Sequence, residues 1–194
     1  MTFRAALLIP LAAATAACGV NSVPTAEEEA KGRWADVQAA YQRRADLIPN
    51  LVATAKGAAR FEQNTLEGIT QARARAQSVQ LSGDDLADAN KVQQFAAAQA
   101  ALTVAYRPLQ EAYPTLQSQG NFKTLMDQLE GTENRVNIAV KDYNAAVQAY
   151  NTRIRTFPDA IGAKVFYGAK PLTPFQAVTP GADRAPTVDF GNGA

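Results

Sequence analysis

Histidine is absent from the chain's 194 residues, and cysteine occurs once. Without an imidazole, Ser-His-Asp and Cys-His catalysis, histidine metal ligation and histidine pH switching are all excluded. The lone thiol, Cys18, cannot close an intramolecular disulfide or build a thiolate zinc site. Charge of one sign is lacking too. With 19 basic against 18 acidic groups the formal net charge is +1, which gives no electrostatic case for a nucleic-acid partner. Apolar–polar alternation of period two is nowhere sustained, so no sheet is expected. What is there suits one globular domain with tails: 47% hydrophobic residues and ample length to bury a core.

The amino terminus reads as an address. Met1 to Cys18 is MTFRAALLIPLAAATAAC, with one cation, Arg4, ahead of an apolar run of 13 residues from Ala5 to Ala17. That is the layout of a secretory signal, and it falls short of the about 20 residues a bilayer-spanning helix needs. Thr15-Ala16-Ala17-Cys18 resembles a bacterial lipobox, in which the thiol is acylated and becomes the new first residue; Thr15 stands where Leu is usual. The expectation is a signal peptide over residues 1–17 and a lipidated tether over 18–25, with covalent lipid on Cys18 as the only prosthetic group. Ordinary cleavage after Ala17 or Ala14, or an uncleaved anchor, are the alternatives. Processing takes Arg4 from the 19 basic groups and leaves 18 against 18, so membrane attachment would rest on lipid or apolar insertion.

Residues 26–157 read as an all-α bundle rich in Ala, Gln, Glu, Arg and Leu, strong helix formers. Apolar positions recur at three and four: Trp34, Val37, Tyr41, Ile48, Val52, Ala55, Ala59, Leu66 and Ile69 in a first segment. A second shows Phe95, Ala98, Leu102, Ala105, Leu109 and Ala112. A third shows Phe122, Leu125, Leu129, Val136, Ala139, Tyr143, Ala146, Tyr150 and Ile154. Thr25 and Asn121 are the expected caps of the first and third segments, and the second starts near Asp84 or Asp85. Short breaks at 82–84 and 113–120 favour antiparallel neighbours. The pattern predicts an elongated, coiled-coil-like antiparallel up-down bundle of three long helices, or four if the first breaks near Pro49 rather than kinking there. In the three-helix order Asn121 falls level with Pro49 to Leu51, and Glu130 to Asn134 fall two turns further on, near Ala59 to Gln63. Residues 158–194, rich in Pro and Gly, are expected to form an extended strap pinned by Phe166, Tyr167, Phe175 and Phe190, with a short helix around Ala160 to Tyr167.

Two polar clusters stand out: Arg43, Arg44, Asp46 and Asn50 in YQRRADLIPNLV, and Glu130, Glu133, Asn134 and Arg135 in LEGTENRV. Together with KGAARFE, ITQARARA, YPTLQSQGNF, DYNAAVQAYN and TFP in the same order, they resemble the signature of the LemA family from about Trp34 to Pro158. That resemblance implies a membrane-attached, largely extracytoplasmic helical bundle of bacteria whose biochemical role is generally unassigned. It supplies no catalytic residues.

Read from the residues themselves, the clusters are expected to be a salt-bridge network setting register, or alternatively a recognition surface. Asp127, Glu130 and Glu133 place carboxylates three apart, but glycosidic chemistry needs them across a cleft and a di-metal bundle site adds histidines. Tyr143-Asn144 and Tyr150-Asn151, one heptad apart, read as seam tyrosines with asparagines that bond outward or fix register. Gly57, Gly68 and Gly131 read as points of close helix approach. The expectation is therefore a non-enzymatic, envelope-anchored interaction or scaffold module in the bacterial cell envelope, with no catalytic residue, no metal and no nucleic-acid partner. Its expected partners are the membrane, through the lipid, and an envelope protein; the oligomeric state and the choice of inner or outer membrane stay open. Two rivals stand beside it: a ligand-binding or catalytic protein using Arg, Asp and Glu in the bundle core, and a self-assembling structural membrane protein.

Overall fold

A computed structural model describes residues 21–57, 62–111 and 120–176. The signal segment, Cys18, Ala59, Ala112, the 113–119 break and Phe190 lie outside the described residues. Among the described residues the fold is all-helical: α1 Ser22–Gly57, α2 Gln63–Ser78, α3 Ala89–Glu111, α4 Gly120–Arg153 and a short α5 Asp159–Gly162 that passes into a π turn, Ala163–Tyr167. A 3-10 turn, Gly83–Ala87, precedes α3.

The first long segment is two helices, and the division does not fall at Pro49. Pro49 sits inside α1, exposed, while Ile48, Leu51 and Val52 around it are buried. An interior proline costs about 3 kcal/mol; burying three such side chains, at about 1.5–3 kcal/mol each, offsets that. The helix instead ends at Gly57, and Glu62 stands in an extended conformation before α2. The extra reversal alters everything downstream. Arg153 donates to the Ser22 carbonyl at 3.3 Å and Arg44 donates to Glu133 at 3.0 Å, so α1 and α4 run antiparallel. In a three-helix order they would be parallel. Asn50 and Asn121 do lie at one level, lining one groove, but Glu133 lies opposite Arg44, not beside residues 59–63.

Other local expectations shift by a few residues. α1 begins at Ser22, so Thr25 is no cap and no tether residue; its hydroxyl donates back to the Asn21 carbonyl at 2.8 Å. Pro24 is tolerated there because first-turn amides have no helical acceptor. Ser82 and Asp85 form a reciprocal box around the 3-10 turn, and Asp88 is the residue that caps α3, accepting from the Asn90 amide at 2.9 Å. Gly57, Gly68 and Gly131 are not close-approach points: a Cβ at any of them would meet nothing within 4 Å.

The buried residues divide into two cores. One holds Trp34, Tyr41, Phe95, Tyr143, Tyr150 and Phe175; the other holds Ile48, Leu51, Ile69, Leu102, Tyr106, Leu109, Phe122 and Leu129. Residues 169–176 run back along the first core as a strap. Of its expected pins among the described residues, Phe175 is buried, whereas Phe166 is 68% and Tyr167 42% exposed.

Candidate functional site

Between the two cores lies a polar layer built by three helices. On α1 the buried stripe runs Val37, Tyr41, Arg44, Ile48, so Arg44 occupies a core position and is 2% exposed. Its guanidinium is held on two sides: one nitrogen donates to Thr103 Oγ1 and Glu133 Oε1, each at 3.0 Å. The other donates to the carbonyl and side-chain oxygens of Gln99, at 3.1 and 3.0 Å. Tyr106 donates its hydroxyl to the same Glu133 oxygen, and Gln99 Nε2 donates to the Ala76 carbonyl of α2 at 3.1 Å. Gln99, Thr103 and Tyr106 are four and three apart, on one face of α3. The Tyr41 ring covers the guanidinium at 4.8 Å. The Glu133 side chain, 30% exposed, is the layer's opening to water.

Burial pushes the Tyr41 phenol up to about 12; the Arg44 charge works against that rise and the Glu133 charge adds to it. Burial likewise raises Tyr106, with the Glu133 carboxylate reinforcing the shift. Both phenols are therefore neutral over any physiological pH. Among the described residues two buried donors have no protein partner, Arg44 Nε and Trp34 Nε1. A groove of about 290 Å³ is lined by Gln38, Tyr41, Gln42, Gln77, Phe95 and Gln99 among others; neither Arg44 nor Trp34 is part of its lining.

The remaining nominated residues are not brought into this layer. Arg43, Asp46 and Asn50 are exposed on α1, and Glu130, Asn134 and Arg135 are exposed on α4. Asp46 accepts from Gln42 at 2.8 Å and stands 3.8 Å from Arg73 of α2, which also donates to the Ala45 carbonyl at 2.7 Å. Asp127 pairs with Lys123 at 2.7 Å and Glu133 with Arg44, so Asp127, Glu130 and Glu133 are not gathered on one cleft. No three of the described Asp, Glu, His or Cys residues form a group able to hold a metal ion.

A second polar device fixes the strap. Asn144 donates to the Phe175 carbonyl and accepts from its amide, at 2.9 and 2.7 Å; Asn151 does the same with Leu172, at 2.8 Å each way. The Tyr143 hydroxyl donates to the Thr173 carbonyl at 2.8 Å, and the Thr173 amide bonds the Leu86 carbonyl. The two heptad-spaced asparagines thus pair with an extended backbone as a strand would.

The sequence model of the LemA family matches residues 33–190, from the start of the aromatic core through the strap and beyond. The chain belongs to the LemA family. No curated protein matches it. The matched span of this LemA chain includes the whole Arg44 layer and both asparagine clamps.

Gln99, Thr103 and Tyr106 were not nominated from the sequence, yet a signal was present. The apolar stripes jump seven residues from Tyr41 to Ile48 and from Leu129 to Val136, and the skipped positions, Arg44 and Glu133, bond to each other. A polar residue in phase with a core stripe wants a partner at the same level.

Proposed function

We propose that the chain is an envelope-anchored, non-enzymatic helical rod that offers a helix face to another envelope component. Covalent lipid on Cys18 holds it at the membrane, with the bundle on the extracytoplasmic side. One observation carries the reading: both terminal nitrogens of the Arg44 guanidinium are engaged in joining three helices, while Arg43, Asp46 and Asn50 stay exposed on the face beside it. With Asp36, Ala39 and Ala53 they make an outward stripe on α1 at spacings of three and four, all six exposed. A rod packed as an up-down bundle keeps that stripe straight and rigid for about 17 residues, roughly 25 Å. None of the described helices is long and apolar enough to cross a membrane, which leaves anchoring to the amino-terminal segment in this reading.

The test is a photo-crosslinking residue placed at Ala39 or Asn50 in cells, with Val104 on α3 as control. The expected result is one adduct of the same mass from both α1 positions, absent from Val104 and lost on Asp46→Lys. Equal adducts from all positions, or none, count against the reading. A ligand-binding reading has one specific support, the glutamine-lined groove over Tyr41 and Phe95. It predicts a small molecule that protects Tyr41 and Trp34 fluorescence from quencher.

A further inference from the structure

Seven large apolar side chains are exposed among the described residues, and five of them fall in one segment: Phe157, Ile161, Val165, Phe166 and Tyr167, at 82, 56, 68, 68 and 42%. Phe157 stands in the turn before α5, Ile161 lies on α5, and Val165, Phe166 and Tyr167 lie on the π turn that continues it, so the five are contiguous along one short stretch of chain. Such clustering marks a contact surface, whereas scattered exposed residues would not.

Three observations decide what covers it. The segment caps the end of the molecule where α4 finishes and α1 begins: Arg153 reaches the Ser22 carbonyl and stands 3.8 Å from Asp159, and α5 packs on α1. The chain therefore enters the fold beside this patch, with the 13-residue apolar run Ala5–Ala17 and Cys18 immediately upstream. Around the patch Arg153, Arg155, Lys164 and Lys170 are exposed, and Asp159 is the one acid in 153–176, a local excess of three positive charges in a chain of net +1. On the neighbouring α1, Lys31 pairs with both Glu27 and Glu28 and Glu29 is exposed, so that turn carries a net charge of −2 and the cations of 153–176 stand on the strap side of the patch. Apolar side chains flanked by cations, at the end nearest an anchor, match the interfacial zone of an anionic bilayer.

We infer that this end of the bundle docks on the membrane surface, with Phe157, Ile161, Val165 and Phe166 entering the headgroup region and Lys164 and Lys170 contacting anionic phospholipid. The inference rests on the anchored reading above. It adds that the rod stands end-on against the bilayer and does not swing on a free tether.

The test uses the full-length chain carrying Cys18→Ser and Val165→Cys, labelled with an environment-sensitive fluorophore and reconstituted in phosphatidylcholine vesicles with or without phosphatidylglycerol. In vesicles containing phosphatidylglycerol and acyl-brominated lipid, the label's emission should fall about twofold, as interfacial depths of about 5–10 Å permit. The fall should shrink severalfold without phosphatidylglycerol, at high salt, or on Lys164→Ser with Lys170→Ser. A label at Arg135→Cys should show none. A Val165 label that stays water-like on vesicles overturns the inference, as does one already shielded in detergent-free solution, where a second copy or the chain's own termini would be covering the patch. Acyl labelling of unmodified Cys18 in cells separates the two readings. Labelling without quenching at Val165 sinks the docking alone, and quenching without labelling sinks the lipid anchor alone.

Discussion

The core around Trp34 holds six aromatic rings, whereas the core beyond Arg44 holds two, Tyr106 and Phe122, among aliphatic side chains. In the first, rings meet edge-on, Trp34 with Phe95 at 5.1 Å and Tyr41 with Phe95 at 5.5 Å between centroids. Phe175 of the strap lies against Trp34, Tyr41 and Phe95. In the second, four helices supply every side chain and no strap residue takes part. Flat rings leave a wide gap along the helices, and a segment without helix propensity fills it at the cost of its own backbone bonding. The two asparagines and Tyr143 repair that cost. The aliphatic core needs no such repair, because its helices close on one another. Arg44 divides the two modes of packing, and its bonds to α3 and α4 hold both at one level.

The largest expected effect comes from breaking that division. Arg44→Ala removes the charge and leaves Glu133, both Gln99 oxygens and Thr103 short of a donor. Truncating one member of a buried pair costs about 3–5 kcal/mol; the partial exposure of Glu133 sets the expectation at the lower end, about 3 kcal/mol, in the urea midpoint. Arg44→Leu with Glu133→Leu should recover more than half of the loss, since the layer then joins the two apolar cores. A double variant as unstable as the single would show that Glu133 is not the partner that matters.

A smaller effect should separate the cores. Asn144→Ala deletes two bonds to Phe175, each worth about 0.5–1.5 kcal/mol net. Amide exchange at Phe175 should accelerate, while amides of Leu102 and Leu129 in the aliphatic core keep their protection until global unfolding. Acceleration in both cores alike would mean that they unfold as one unit and that the strap is no separate closure.

How much of this was legible follows from particular residues. Trp34, Phe95, Leu102, Leu129, Tyr143 and Tyr150 are buried as their three-and-four spacing demands, because burial periodicity follows from helix geometry alone. The boundary at Gly57 was not legible. Apolar phase continues through Leu66 and Ile69, which belong to the same aliphatic core, so the stripe looks unbroken although the chain has turned. Pro49 drew the break to itself instead, but a proline on the exposed face loses one backbone bond without ending a well-buried helix. One missed reversal then turned α4 end for end and carried Glu133 away from Arg44. The strap clamps were half visible: heptad-spaced asparagines signalled a register, and only the fold shows that the partner is a backbone 21 to 31 residues away.

The smallest effect is expected one residue from the largest. Arg43 shares its residue type and sequence neighbourhood with Arg44, but lies outside the core stripe and is exposed. Arg43→Ala should change stability by no more than about 0.5 kcal/mol, the usual span for surface substitutions. Helix propensity slightly favours alanine there, so a marginal gain fits as well as a marginal loss. The same variant should still remove the α1 crosslink if the outward stripe binds a partner, separating recognition from folding at adjacent positions. A loss comparable to that of Arg44→Ala would place Arg43 inside a network the fold does not contain, and would return both arginines to scaffolding.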